Sequence, residues 1–408
     1  MTKRINPSKY LGNESYYLEK VLEGESWSGT GGSWVWTLEK KFSEIFETKY
    51  AVAFNSGTST LHAALEAAGV GLGDEVISPA LTVIMNTTAT IHANAVPVYA
   101  DINPYTFTID PEDISRKISK RTKAIIPVSL YGLPADMDPI IELAKRHNLV
   151  VIEDNAQCVL SRYKGKLTGS IGEMASYSFE TSKHISCGEG GMIITNNEEY
   201  ARLVRKIGGH GFKNLSADEG RIRLNQDIFQ DPFYKRHDVL GWNYRLSEFN
   251  AAVALAQLEK IDYFLDLRKK NAEIFLDAIA SCDYLIPQQT PDQYTHSYYT
   301  LGIVYEGFDM IGVTWKNFRK RYIEEGGDGI YGACCIPYFE PVIEERAFVK
   351  RNPHIYNNVY YYKGLCPIAE QIQPKLMQFK TNYRDLELAK EKAGALEKTI
   401  KKLKKGLR

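Results

Sequence analysis

The 408-residue chain has no Cys-x-x-Cys pair, no His-Glu-x-x-His or His-x-x-x-His spacing, no net charge and no apolar run long enough to cross a bilayer. Each absence excludes something. Six cysteines, at 158, 187, 282, 334, 335 and 366, are too scattered for a disulfide framework or a zinc ribbon and read as inert thiols. Eight histidines without ligand spacing give a metalloenzyme no support. Fifty basic residues balance fifty acidic ones, so no global field draws nucleic acid or anionic lipid, and any anion site must be local. The opening MTKRINPSKYLGNES is not followed by an apolar stretch, so a soluble, cytoplasmic protein is expected. No repeat of 20 to 50 residues is visible.

What is present is an alternation. Short β-branched runs recur at 51–56, 75–79, 96–102, 124–132, 149–155, 175–180 and 191–196, and helix-like stretches such as TSTLHAALEAAG and DMDPIIELAKRHN lie between them. Nearly continuous apolar strands separated by amphipathic helices predict an α/β architecture: a seven-stranded, mostly parallel sheet covered on both faces. After about residue 250 the pattern changes. NAAVALAQLEKIDYFLDLRKKNAEIFLDAI has helical periodicity over a long span and predicts a linking helix. A smaller α+β unit comes next, closed by a Lys-rich terminal helix whose Glu and Leu spacing fits a solvated amphipathic helix better than a nucleic-acid arm. The expected division is 1–250 for the large unit and 251–408 for the linking helix and small one.

In an open α/β sheet, ligands sit beyond the carboxyl ends of the strands. There the sequence places Asn55-Ser56-Gly57-Thr58-Ser59, Ser129, Asp154 with Gln157, and Ser178 through Lys183. N-S-G-T-S ends a strand and opens a helix, which gives either an N-cap or a phosphate seat of free amides and a positive dipole end. Asp154 closes a central strand, where a carboxylate is costly unless paired; it is either a cap for the next helix or the counter-ion of a protonated heterocycle. Lys183 lies 29 residues on, succeeded by Gly188, Gly190 and Gly191, as though something had to lie against the backbone. A phosphate seat, a buried acid and a lysine together meet the needs of pyridoxal 5'-phosphate: an anchor, a partner for the ring nitrogen and an amine for covalent attachment.

Across nearly all of residues 26–262 the chain resembles the DegT/DnrJ/EryC1/StrS sugar aminotransferases, within fold type I of the pyridoxal phosphate (PLP) enzymes. The resemblance is carried by SWSGTGGSWVWTLEKKFSEIFETKYAVAFNSGTSTLHAAL, GDEVISPALT, VPVYADINPYTFTID, RTKAIIPVSLYGLPADM, VIEDNAQ, YSFETSKHISCGEGGMIITN and GWNYRLSEFNAAVALAQLEKID. It implies catalytic roles for Lys183, as the lysine that bonds the cofactor, and for Asp154, as the partner of its ring nitrogen. It implies cofactor contacts from Gln157 beside the phenolic oxygen, from Gly57, Thr58 and Ser178 at the phosphate, and from Asn243, which reaches the phosphate of a neighbouring subunit. The expected assembly is therefore a homodimer with shared sites, and no metal is implied. The substrates it implies are a nucleotide-linked keto-sugar and an amino acid, L-glutamate, as donor. The setting is biosynthesis of a surface polysaccharide or unusual deoxy sugar.

Two departures stand out. LTVIMN offers only Val83 and its neighbours where many members carry an aromatic residue over the cofactor ring, and VSLYG has Ser129 where many relatives have histidine. Two other readings are open: a dehydratase using the amine form of the cofactor, and a noncatalytic, PLP-binding regulatory protein. The dehydratase branch has histidine at the lysine position; here Lys183 is present and His184 comes directly after it.

Overall fold

A computed structural model describes residues 5–30, 32–220, 224–332 and 334–406. Seven strands fall where the apolar runs predict them: β1 (Tyr50–Phe54), β2 (Glu75–Pro79), β3 (Val96–Ala100), β4 (Thr122–Ile125), β5 (Val150–Asp154), β6 (Met174–Ser178) and β7 (Gly191–Thr195). They form one sheet in the order β1-β7-β6-β5-β4-β2-β3. Only β7 runs against its neighbours, pairing antiparallel with both β1 and β6. The register sets Asp154 beside Ser176 and Phe54 beside Gly191.

Because side chains alternate along a strand, β1 feeds two cores. Ala51 and Ala53 pack with Phe42, Phe46, Tyr177 and Leu255 on one face. Val52 and Phe54 pack with Leu61, Leu65, Ile152 and Val204 on the other. The first face is covered by α1 (Glu14–Glu23), α2 (Trp34–Ile45) and α7 (Glu248–Leu258), the second by α3 (Gly57–Ala67) and α6 (Glu198–Gly208). Between these lie α4 (Met85–His92), after β2, and α5 (Met137–His147), before β5. The buried Glu248 carboxylate accepts from the amides of Trp34 (2.7 Å) and Val35 (3.4 Å), so the start of α7 caps the start of α2.

Two expectations are revised. The long linking helix is interrupted: α7 ends at Leu258 and α8 spans Ile261–Ile279. Lys260 leaves helical geometry (φ −113, ψ 15), held by its Nζ on the carbonyl of Leu11, while Glu259 accepts from Asn13 and Tyr17. The break lets α7 stay on α1 and α2 while α8 turns to pack against α9 (Leu386–Gly406). The run 124–132 is strand only as far as Ile125; Pro127 interrupts it, and Leu130–Gly132 is a single 3-10 turn with Tyr131 at φ +62.

The C-terminal third forms a three-stranded antiparallel sheet, β8 (Leu285–Pro287), β9 (Leu301–Tyr305) and β10 (Leu376–Phe379). The Lys-rich helix behaves as its spacing predicts: Leu388, Ala389, Leu396, Ile400 and Leu403 join Phe275 and Ile279 in one core. Of that helix, residues 407–408 lie outside the described residues, as do 221–223 of the polar segment before Asn243 and residue 31 of SWSGTGG. All six cysteines are unpaired. Among the described residues no helix is long and apolar enough to cross a membrane.

Candidate active site

The carboxyl ends of β1, β5 and β6 lie along one edge of the sheet. At the end of β1, Ser56 is the N-cap of α3: its Oγ accepts from the Ser59 amide (3.1 Å) and its carbonyl accepts from Thr60. The amides of Gly57 and Thr58 precede that bond and have no protein acceptor among the described residues. Two such amides at a helix start are donors that an incoming anion can use. Gly57 is needed for a steric reason: a Cβ there would sit 2.9 Å from Ser178 Cβ and 3.3 Å from its hydroxyl. Gly57, Thr58 and Ser178 are thus brought together as one cradle.

Asp154 ends β5 and is 3% exposed. Its Oδ1 accepts from the Ala156 amide (3.0 Å) and its Oδ2 from Asn86 Nδ2 on α4 (2.9 Å). Burial pushes its carboxyl up from the usual range; the Ala156 amide, Asn86 and the charge of Lys183 oppose this only in part. A cation facing this carboxylate would supply what the protein leaves incomplete. Of the two readings of Asp154, the cap takes the form of a turn closed on the Ala156 amide and not of a helix start.

Lys183 stands on a turn beyond β6. The turn closes through the Lys183 amide on the Glu180 carbonyl (3.0 Å), and Glu180 accepts from the amide and hydroxyl of Ser182. Phe179 and Gly190 hold its two legs together (2.8 Å). Lys183 Nζ lies 4.7 Å from the centre of the Tyr299 ring. Gly191 answers why glycine comes after the lysine: a Cβ there would come within 2.6 Å of the Ser56 carbonyl oxygen. What lies against that backbone is the chain's own phosphate-seat loop.

The structure gives Gln157 an unforeseen partner. Its Oε1 accepts from the Tyr131 amide (2.9 Å), pinning the left-handed Tyr131, whose hydroxyl accepts from Gln378. Ser129 sits beside Asp154 through its backbone, its amide donating to the Asp154 carbonyl (3.1 Å). Val83 is half-buried just ahead of α4. Asn243 is exposed; its carbonyl accepts from Asn55 Nδ2 of the same chain (3.3 Å), and its side chain has no hydrogen bond among the described residues.

Sequence reasoning missed Asn86, Tyr131 and Tyr299. Asn86 had a signal, a lone amide behind the apolar run LTVIM. Tyr299 had none, because it lies in the C-terminal third, far from Lys183 along the chain.

Comparison with known proteins shows the family. Residues 11–324 match the DegT/DnrJ/EryC1/StrS aminotransferase family. This chain belongs to that family. GDP-perosamine synthase of Caulobacter vibrioides is 41% identical over 64% of this chain and 65% of its own length, so the match spans just under two thirds of that relative. GDP-perosamine synthase of Escherichia coli O157:H7 is 36% identical over 72% of the chain and 75% of its own length. The crystal structure of an aminotransferase from Psychrobacter cryohalolentis superposes with a TM-score of 0.86 at 27% identity, covering 98% of this chain and 99% of the other.

The family is described as one of aminotransferases, and the resemblance read from the sequence implies pyridoxal phosphate as the cofactor. The residues present fit that cofactor: two free helix amides beside a cradle closed to any larger residue at 57, a buried carboxylate with a face left for a cation, and a lysine on the adjoining turn.

Proposed function

We propose that the protein transfers an amino group from an amino acid, L-glutamate, to the carbonyl carbon of a nucleotide-linked keto-sugar, in the cytoplasm, for a surface polysaccharide or deoxy sugar. The observation that carries this reading is the meeting of Lys183, Asp154 and the Gly57–Ser178 cradle on one sheet edge, with lysine and not histidine at position 183. The named relatives make a GDP-linked amino sugar the first substrate class to try.

When bound, pyridoxal phosphate supplies an electron sink for the carbon that loses a proton. The chain's residues do the rest. The amides of Gly57 and Thr58 and the Ser178 hydroxyl hold the phosphate. Asp154 keeps the ring nitrogen protonated, and Asn86 orients it. Lys183 Nζ takes the proton from the donor's Cα and returns one to the sugar carbon in the second half of the cycle. Gln157, its Oε1 bonded to the Tyr131 amide, would lie beside the cofactor's phenolic oxygen as the resemblance implies.

The reading extends to a homodimer in which Asn243 completes the partner's phosphate site. The segment before it exposes Phe233 and Leu240, at 84% and 83%, an apolar surface that a two-fold partner would cover. It also takes 1–250 as the cofactor-holding unit and 251–408 as the linking helix and the smaller unit.

The test is to incubate purified protein with nitrogen-labelled L-glutamate and a panel of nucleotide-linked 4-keto and 3-keto sugars, and to track products by mass spectrometry. The expected product is an amino sugar carrying the label. A dehydrated sugar without label would instead mark a dehydratase.

A further inference from the structure

Beside the turn that carries Lys183 is a cavity of about 460 Å³, and its walls include Lys9, Tyr10, Lys183, Arg268, Asn382 and Arg384. Besides Lys183, three of these are cations, brought from three distant parts of the chain. Arg268 is 6% exposed on α8, Lys9 comes from the N-terminal segment, and Arg384 lies two residues before α9. Their hydrogen bonds go to neutral acceptors. Arg268 donates to the carbonyls of Tyr299 and Ser182 and to the Thr381 hydroxyl. Lys9 Nζ donates to the carbonyls of Thr181 (2.7 Å) and Lys183 (3.5 Å). Arg384 donates to the carbonyls of Pro7 and Asn382. Among the described residues none of the three has a carboxylate within ion-pair distance. The one carboxylate in the walls, Glu180, is engaged by Ser182 at 2.9 and 2.6 Å.

Gathering like charges in a half-enclosed space is unfavourable without a counter-ion. The strain is visible in their proton affinities: burial, with Arg268 and Arg384 nearby, brings Lys9 down to about 8, and burial brings Arg268 down to about 10. An anion would relieve both.

We propose that Lys9 and Arg384, backed by the buried charge of Arg268, form a carboxylate subsite for the amino donor. The inference rests on the amino-transfer reading above. Arg384 Nη2 has no protein acceptor among the described residues, and Lys9 has a third N–H available, so each can donate to an incoming carboxylate while keeping its present bonds. The donor is favoured over the sugar nucleotide by position. Lys183 and its turn form one wall, and the carboxylate of an amino acid is one bond from the carbon that reacts at Lys183, whereas the diphosphate of a sugar nucleotide lies several bonds away from its carbonyl.

Two measurements on cofactor-loaded protein test this. Calorimetry with glutarate, a dicarboxylate that cannot react, should show binding that weakens about ten- to a hundred-fold in Lys9→Gln and in Arg384→Gln, with Lys9→Arg recovering most of it. In single half-reactions, the glutamate concentration needed for half-maximal rate should rise by a similar factor, while that for the keto-sugar shifts far less. Arg384 also tethers Pro7, so Lys9→Gln provides the independent variant should Arg384→Gln fold poorly. Equal glutarate affinity in wild type and Lys9→Gln overturns the subsite, as does inorganic phosphate displacing glutarate at lower concentration. If glutamate fails as donor while glutarate binding still depends on Lys9, the subsite stands and the choice of glutamate falls.

Discussion

Asn86 reaches from α4 to Asp154, Nδ2 to Oδ2 at 2.9 Å, and shares with the Ala156 amide the task of holding a carboxylate that is almost wholly out of water. A carboxylate with two donors is oriented; with one it can turn. Asn86→Ala should therefore lower turnover about ten- to a hundred-fold, the 1.5–3 kcal/mol of a charged hydrogen bond, and weaken cofactor binding. Asp154→Asn should cost more, on the order of 100- to 1000-fold, because it removes the charge itself. Half-reaction rates and cofactor titrations check both. Near-normal turnover in Asp154→Asn would reduce Asp154 to a turn cap.

Lys183→Ala leaves the cradle and Asp154 intact. The variant should still take up cofactor but give no turnover, and borohydride treatment of the wild-type protein should attach the cofactor to a peptide containing residue 183. Attachment to another lysine would refute the assignment.

Gly57→Ala places a methyl group 2.9 Å from Ser178 Cβ, where neither strand end nor helix start can give way cheaply. Overpacking of this kind costs about 1–3 kcal/mol. The expected result is weaker cofactor affinity with the apo-protein's melting temperature falling by a few degrees at most. Gly57→Ala combined with Ser178→Gly, which removes the opposing Cβ, should recover the melting temperature but not the cofactor affinity, because the Ser178 hydroxyl at the phosphate is lost with it.

If sites are shared, Lys183→Ala and Asn243→Ala should complement each other. A heterodimer gathers both lesions in one site, and random reassortment leaves roughly a quarter of all sites whole. The bond between Asn243 and Asn55 of its own chain makes the contrary outcome concrete. Activity that stays at the level of the separate variants, with subunit exchange confirmed by affinity tags, would assign Asn243 to its own subunit.

His184 is 3% exposed, its Nε2 is bonded to the Ser297 carbonyl (3.0 Å), and burial holds its proton affinity well below the ordinary histidine value of 6.5. It folds neutral. Below pH 6.5 the unfolded chain binds a proton there that the native state refuses, so stability falls as pH drops through that value. The loss grows as the pH falls further below 6.5. Urea melts at about pH 7 and about pH 5 should show it, and His184→Gln should flatten that part of the dependence.

Much of this protein is written locally. The seven strands, the cap that opens α3, the acid at the end of β5 and the lysine beyond β6 are each announced by a few adjacent residues, because β-branched runs, N-caps and strand-end polar residues act through neighbours in the chain. The detailed turn chemistry was less legible. Gly191 reads as making room for a ligand until Ser56 is seen against it, and the helix periodicity through 250–279 conceals the break at Lys260 because both halves are amphipathic and only their different packing partners demand a bend.

By itself, then, the sequence determined the α/β class and the family and singled out the candidate site residues, since these depend on residue type and short spacing. Only the tertiary structure decided that Asn86 serves Asp154, that Gln157 fastens Tyr131, and that Lys9, Arg268 and Arg384 meet beside Lys183. Such contacts join positions tens to hundreds of residues apart, and no local pattern encodes them. They arise from where the sheet, the broken helix pair and the N-terminal segment come to rest against one another.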